Sequence, residues 1–282
     1  MIREGTLTGA ARALALTQPS VSRHIDALEG ALGATLFVRT RSGLTPTPLA
    51  LSLVPHAEAM SLAADNLVRA ASGEREEMRG TVRITASDVV GTFVLPQILT
   101  SLRAQHADIE IELALSNRNS NLLLGEADIA VRMQRPHQDA VVARNVGEVR
   151  VGLYAHKRYA AQNRLPTSVA ELFDHPLIGV DRDVTALQSV SFDGQVLTRE
   201  MFAFRCDSDA AQLMAMKAGF GIGACHLGIA ADDPDLVRVL PDGVEFGYEM
   251  WVAMHENLRS TRRVRAVFDH VVETLIAYSR KR

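Results

Sequence analysis

The sequence predicts an α+β chain of more than one domain, and three observations predict it. Apolar residues recur at helical spacing through residues 6–32, the stretch from Pro48 to Ala71 offers little to stop a helix, and beyond Gly80 short β-rich runs alternate with helical ones. At 282 residues the chain exceeds one small domain and suits a small module followed by an α/β domain of roughly 200 residues. With 47% hydrophobic and 22% charged residues it can bury a sizeable core. The formal net charge of −3 excludes a generic polyanion binder, so any contact with nucleic acid must be local. No run of about 18 apolar residues offers a membrane span, and the N-terminus lacks the pattern of a secretory leader. A cytoplasmic address with no membrane partner is therefore expected. Cys206 and Cys225 lie far apart, without the spacing of a zinc site or a redox pair, and are expected to be buried thiols.

In the first module, Thr6 can cap a short helix that places Ala10, Ala11 and Leu14 on one face. A second helix can start at Thr17, with Pro19 in the first turn where its missing N–H costs little. Val21, Ile25, Leu28 and Leu32 then form a stripe expected to be buried, opposite a polar face of Gln18, Ser20, Ser22, Arg23 and Asp26. Two short helices joined by a turn, the second offering short polar side chains and an arginine near its start, suit a reader of the DNA major groove. Glutamine can pair with adenine, arginine with guanine or phosphate, and serine with either. After the apolar anchors Leu36 and Phe37, the run Val38 to Thr47 reads as a turn flanked by arginines, which could lay Arg39 and Arg41 along phosphates.

The run GTLTGAARALALTQPSVSRHIDALEGALGATLFVRTRSGLTPTPLA resembles the DNA-binding signature of LysR-type transcriptional regulators. The likeness is carried by Gly5, Ala10, Ala11, Leu14, Gln18, Pro19, Ser22, Ile25, Leu28, Glu29, Leu36, Phe37, Arg39, Leu44 and Thr45. It implies a winged helix-turn-helix over residues 1–47, with Gln18, Pro19, Ser20, Ser22 and Arg23 facing the groove. It also implies a complete helix ahead of Gly5, of which only Met1 to Glu4 stand here. A start codon assigned too late is the favoured explanation. The alternative is a module that lacks part of its core; if the chain is expressed as given, the lost partners of Ala11, Ile25 and Leu28 are expected to weaken it at about 25 cal/mol per Å² exposed.

Along the next helix Ala50, Leu53, Ala57, Met60, Ala64, Leu67 and Ala71 alternate by three and four, the seam of a paired helix, so residues 48–72 are expected to form a dimerisation linker. Pro55 should bend or restart it. The charged, glycine-bounded run over residues 73–80 reads as a hinge.

Residues 81–282 read as a parallel sheet covered by helices. Strands are expected at Thr81 to Ala86, Ile109 to Leu115 and Asp128 to Arg132, with helices around Leu95 to Gln105 and ending near Gly125. Ligands of such sheets bind beyond the carboxyl ends of the strands, which nominates Ser87, Asp88, Ser116, Asn117, Arg132 and Met133. The runs TVRITAS, LPQIL, IEIELAL, GEADIAVR and GFGIGA are similar in order to the effector-binding domain of the same family. That likeness implies two lobes resembling type 2 periplasmic binding proteins. Crossovers near Val149 and His255 would give lobe I residues 81–148 and 256–282, and lobe II residues 149–255. Strand ends of the second lobe add Asp181, Arg182, Asp207 and Ser208, the last pair capping a helix from Ala210 to Ala218.

The family resemblance implies double-stranded operator DNA, a small-molecule effector, further copies of the chain as dimer or tetramer, and RNA polymerase as partners. It implies no metal and no cofactor. An enzyme would have to use Cys225 with His226, or Cys206 with His226 or His255, yet neighbours on a strand point to opposite faces and no hydrolase, P-loop or dinucleotide motif is present. A thiol redox sensor meets the same cysteines with nothing nearby to lower a thiol pKa. A pure solute-binding protein is opposed by the helix-turn-helix segment.

Overall fold

The structure, a computed structural model, describes residues 1–40, 43–71, 77–117, 127–136, 141–182, 191–192 and 195–281. It divides into two compact units, Met1–Asn66 and Leu67–Arg282. Among the described residues no helix is long and apolar enough to cross a membrane.

In the first unit α1 spans Leu7–Ala13 and α2 spans Gln18–Leu32. Both starts are fixed by threonine caps: the Gly9 amide donates to Thr6 Oγ1 at 3.0 Å, and the Ser20 amide to Thr17 Oγ1 at 3.4 Å. The α2 helix ends on Gly33 in the left-handed region. A hairpin follows, β1 over Phe37–Thr40 antiparallel to β2 over Gly43–Pro46. Glu29 ties it to α2, its Oε1 accepting from the Leu36 amide at 2.6 Å and the Phe37 amide at 2.9 Å.

The core of this unit is Ala10, Ala11 and Val21, with Met1, Leu7 and Ile25 packed against it. The expected buried stripe therefore holds only in part. Val21 is buried and Ile25 half-buried, but Leu28 and Leu32 are about half exposed, at 50% and 49%, and Leu14 is exposed as well. The short side chains of Ala10 and Ala11 reach only the first turns of α2, and among the described residues of this unit no element covers the rest. The helix α3 runs over Pro48–Ala71 with Pro55 inside it. Of the expected bend or restart at Pro55, the restart does not occur: the helix continues through it. On its seam Ala50 is buried and Leu53 half-buried, whereas Ala57, Met60 and Ala64 are exposed. The side chains of Leu67 and Ala71, the last residue of the expected linker (72), half of the expected hinge (residues 73–76), the expected helix end near Gly125 and Arg41 lie outside the described residues.

The second unit opens with β3 (Gly80–Ala86), α4 (Asp88–Phe93), α5 (Leu95–Gln105), β4 (Ile109–Leu115) and β5 (Ile129–Arg132). The long β6 (Val141–His156) leads to α6 (Lys157–Ala160), α7 (Val169–Leu172) and β7 (Leu177–Gly179). A two-stranded ribbon of β8 (Ser191–Phe192) and β9 (Gln195–Val196) precedes β10 (Phe202–Arg205), α8 (Asp209–Lys217), β11 (Ile222–His226) and α9 (Leu227–Ala231). Last come β12 (Leu236–Val239), β13 (Glu245–His255) and α10 (Arg262–Ser279).

The main sheet has the order β10-β7-β11-β6-β13-β5-β3-β4, with β12 also on β6. Among the described residues its two halves share β6 and β13, which pair antiparallel along their length. The first residues of β6 pair with the end of β13, whose Trp251–Met254 also pair with β5; the far end of β6 pairs with β11 and β12. The chain thus returns to the first half inside β13, at the irregularity between Met250 and Trp251, ahead of the expected His255. On β6 the passage lies at Gly147, whose φ is +112°. A Cβ there would stand 2.4 Å from Ser279 Oγ, which donates to the Val146 carbonyl at 2.8 Å, so glycine is required for the end of α10 to close on the strand. The core of the first half stacks Val82, Ile84, Ile129, Met254, Val267 and Leu275 between sheet and helices. A separate cluster around Leu153, Leu172, Phe202 and Ile222 fills the other.

Candidate functional site

Two surfaces bring chemistry together. In the first unit the cap at Thr17 turns the start of α2 outward: Gln18, Pro19 and Arg23 are exposed, and Ser20 and Ser22 half-buried, with Val21 buried behind them. Ser20 is also part of the cap, its hydroxyl 2.8 Å from Thr17 Oγ1. The unpaired amides of a helix start and its dipole favour an anion such as a DNA phosphate beside these residues. Arg39 is exposed on β1, opposite Leu44 of β2.

In the second unit a cavity of about 400 Å³ opens where strands of both halves end. Its walls are mostly apolar, from Val89, Val151, Leu153, Leu172, Leu197, Phe202 and Phe246. Of the residues nominated from the sequence, Ser87, Asn117, Arg132, Met133 and Asp207 line it. Ser87 Oγ is buried without a hydrogen-bond partner among the described residues. Arg132 donates to Thr85 Oγ1 at 2.7 Å and to the Val131 carbonyl at 2.9 Å.

The other nominated residues do structural work around it. Asp88 Oδ2 accepts from Ser208 Oγ at 2.5 Å and from the Ala210 amide at 3.2 Å, joining the start of α4 to that of α8. Asn117 reinforces the bridge, accepting from the Asp88 amide at 2.8 Å and donating to Asp209 at 3.2 Å. Ser208 also caps α8 through the Ala211 amide. Asp207 Oδ1 accepts from the Asp181 and Arg182 amides, and Asp181 is paired with Arg199 at 2.5 Å. Arg182 is solvent-exposed, and the Ser116 amide donates to the Ala86 carbonyl at 2.9 Å.

Sequence reasoning missed Gln212, Tyr248, Cys225 and His226 on the wall. A signal existed for Gln212, one helical turn after the Ser208 cap, and for His226, at the carboxyl end of β11. His226 Nδ1 lies 3.2 Å from the Tyr278 hydroxyl of α10, and burial pushes its pKa down to about 4, so the ring is neutral near pH 7. Burial likewise raises Cys225 to about 12, leaving a protonated thiol unsuited to attack or oxidation.

Comparison with known proteins matches both regions. Residues 75–276 fit the family described as LysR substrate binding domain. Residues 1–51 fit the one described as bacterial regulatory helix-turn-helix protein, lysR family. The chain is 22% identical over 285 residues to "Probable HTH-type transcriptional regulator LtrA" of Klebsiella pneumoniae, covering 98% of this chain and 92% of that one. It is 30% identical over 184 residues to the HTH-type transcriptional regulator ClcR of Pseudomonas putida, covering 64% and 62%. Among solved structures, the full-length virulence activator AphB of Vibrio cholerae superposes with a TM-score of 0.63 at 21% identity, covering 96% of this chain and 95% of that one. The regulator CrgA of Neisseria meningitidis gives 0.63 at 22%, covering 96% and 94%. At these identities the two structures share the fold.

Proposed function

The chain belongs to the LysR family of transcriptional regulators, and from that premise we propose how its two surfaces divide the work. The helix-turn-helix binds DNA and the substrate-binding domain takes an effector. On our reading α2 enters the major groove of a double-stranded operator. Gln18, Pro19, Ser20, Ser22 and Arg23 meet base edges and nearby phosphates, and Arg39 and Arg41 follow the backbone. The cavity holds the small-molecule effector against Ser87, Asn117, Arg132 and Asp207. Asp88, Ser208, Asp181 and Ser116 shape its mouth without touching the ligand.

The protein works in the cytoplasm as a dimer joined through the exposed row on α3, paired again into a tetramer, on a pseudo-palindromic site whose halves lie whole helical turns apart. Effector binding alters the bridge between Asp88 and Ser208, changes how the halves close, and shifts the spacing of the recognition helices and their access to RNA polymerase.

The observation that carries this reading is the arrangement of α2, with polar residues outward and Val21 inward against Ala10 and Ala11. The test is fluorescence anisotropy at physiological salt with labelled DNA from upstream of the gene. Binding at least tenfold tighter than to a shuffled duplex is expected; equal affinity for both would sink the regulator reading.

A further inference from the structure

The lining of the cavity narrows the chemistry of what enters it. Among the described residues its charged lining is Arg132, Asp207 and Asp209, one guanidinium against two carboxylates. All three are engaged by the protein: Arg132 with Thr85 and a backbone carbonyl, Asp207 with two backbone amides, Asp209 with Asn117. An anionic ligand would enter a described lining in which carboxylates outnumber the guanidinium two to one. A cationic one would have to draw Asp207 from the amides or Asp209 from Asn117. Either charge leaves water on entry, and the cationic ligand also breaks a bond already made. The walls offer a neutral ligand more, with aromatic and aliphatic faces and the buried hydroxyl of Ser87, which has no partner among the described residues. A volume of about 400 Å³ lies toward the small end of ligand sites, which run from about 300 to 1,000 Å³.

We propose that the effector is an uncharged, largely apolar ring compound carrying one hydroxyl or carbonyl group that pairs with Ser87. The proposal rests on the reading of this cavity as the effector site.

Calorimetric titration of the full chain with two matched series tests it: 2-phenylethanol, phenylacetate and 2-phenylethylamine, then indole-3-ethanol, indole-3-acetate and tryptamine. In at least one series the alcohol binds at least tenfold tighter than both charged analogues. Ser87→Ala weakens that alcohol by about three- to tenfold, the loss of one hydrogen bond. Ala224→Trp, which fills the cavity from β11, abolishes binding, and Ala224→Leu repeats the measurement at smaller volume should the tryptophan variant melt early. A carboxylate or amine as the tightest ligand of both series, or no measurable binding of either alcohol at millimolar concentration, overturns the proposal. Charged-ligand binding that Ala224→Trp abolishes would overturn the charge argument alone and leave the effector cavity standing. Binding unchanged by both Ala224 variants would overturn the cavity reading itself.

Discussion

The two units of this chain hold themselves together in opposite ways. Met1–Asn66 rests on a few buried side chains, Ala10, Ala11, Val21, Leu36 and Ala50, with Leu14, Leu28 and Leu32 turned toward solvent. Leu67–Arg282 closes on residues such as Ile84, Ile129, Met254 and Leu275 that are wholly withdrawn from water. In the first unit the working side chains stand on the outside, and a cap and a short apolar contact suffice to present them. In the second they line an interior, so a wall must exist on every side of it. A thin core serves to display a surface, and a deep one is required to enclose a ligand.

The largest test of that contrast is a pair of truncations. Leu275→Ala should destabilise the second unit by about 2–5 kcal/mol, as buried leucine deletions do. Leu28→Ala in the first should change stability by no more than about 0.5 kcal/mol, the range of surface substitutions. Urea unfolding of each variant separates them. A comparable loss from Leu28→Ala would mean that the leucine face is covered in the native protein.

The second unit should also lose stability in mild acid. With its folded pKa depressed to about 4, His226 stays neutral while the unfolded chain takes up a proton near pH 6.5, so its contribution is full above 6.5 and fades as pH falls toward 4. The loss is roughly 3 kcal/mol for a shift of this size. His226→Gln should flatten that slope, and an unchanged slope would place the titration elsewhere.

On the other side of the comparison, Arg23→Ala should leave folding alone and weaken operator binding by about 1–3 kcal/mol if the arginine reads a base. A uniform loss across sequences, with a shallower salt dependence, would assign it to phosphate. Smallest is Thr17→Ala, which removes the cap of α2 and should cost the first unit about 1 kcal/mol in a thermal melt.

The same contrast explains what could be read from the sequence. Local signals located α2, its cap at Thr17, strands β3 and β4, the helix α5 and the Ser208 cap, because each is decided within a few residues. Ser87, Asn117 and Arg132 were reachable through the rule that ligands gather beyond strand ends. Asp88 and Asp181 obey the same rule, yet Asp88 bridges to Ser208 and Asp181 pairs with Arg199. Which strand-end carboxylate meets a ligand and which meets a neighbour depends on what the fold brings alongside, a partner 120 residues away for Asp88 and 18 away for Asp181. Leu28 and Leu32 teach a related point: periodicity tells which residues share a face, and says nothing of whether anything lies against it.

Gly147 draws these threads to one atom. Because the β6 backbone touches the Ser279 side chain there, with no methyl between them, any bending of that joint on effector binding would carry the last turn of α10 with it. On the proposed mechanism, a dye attached beside that turn would report effector binding from outside the cavity.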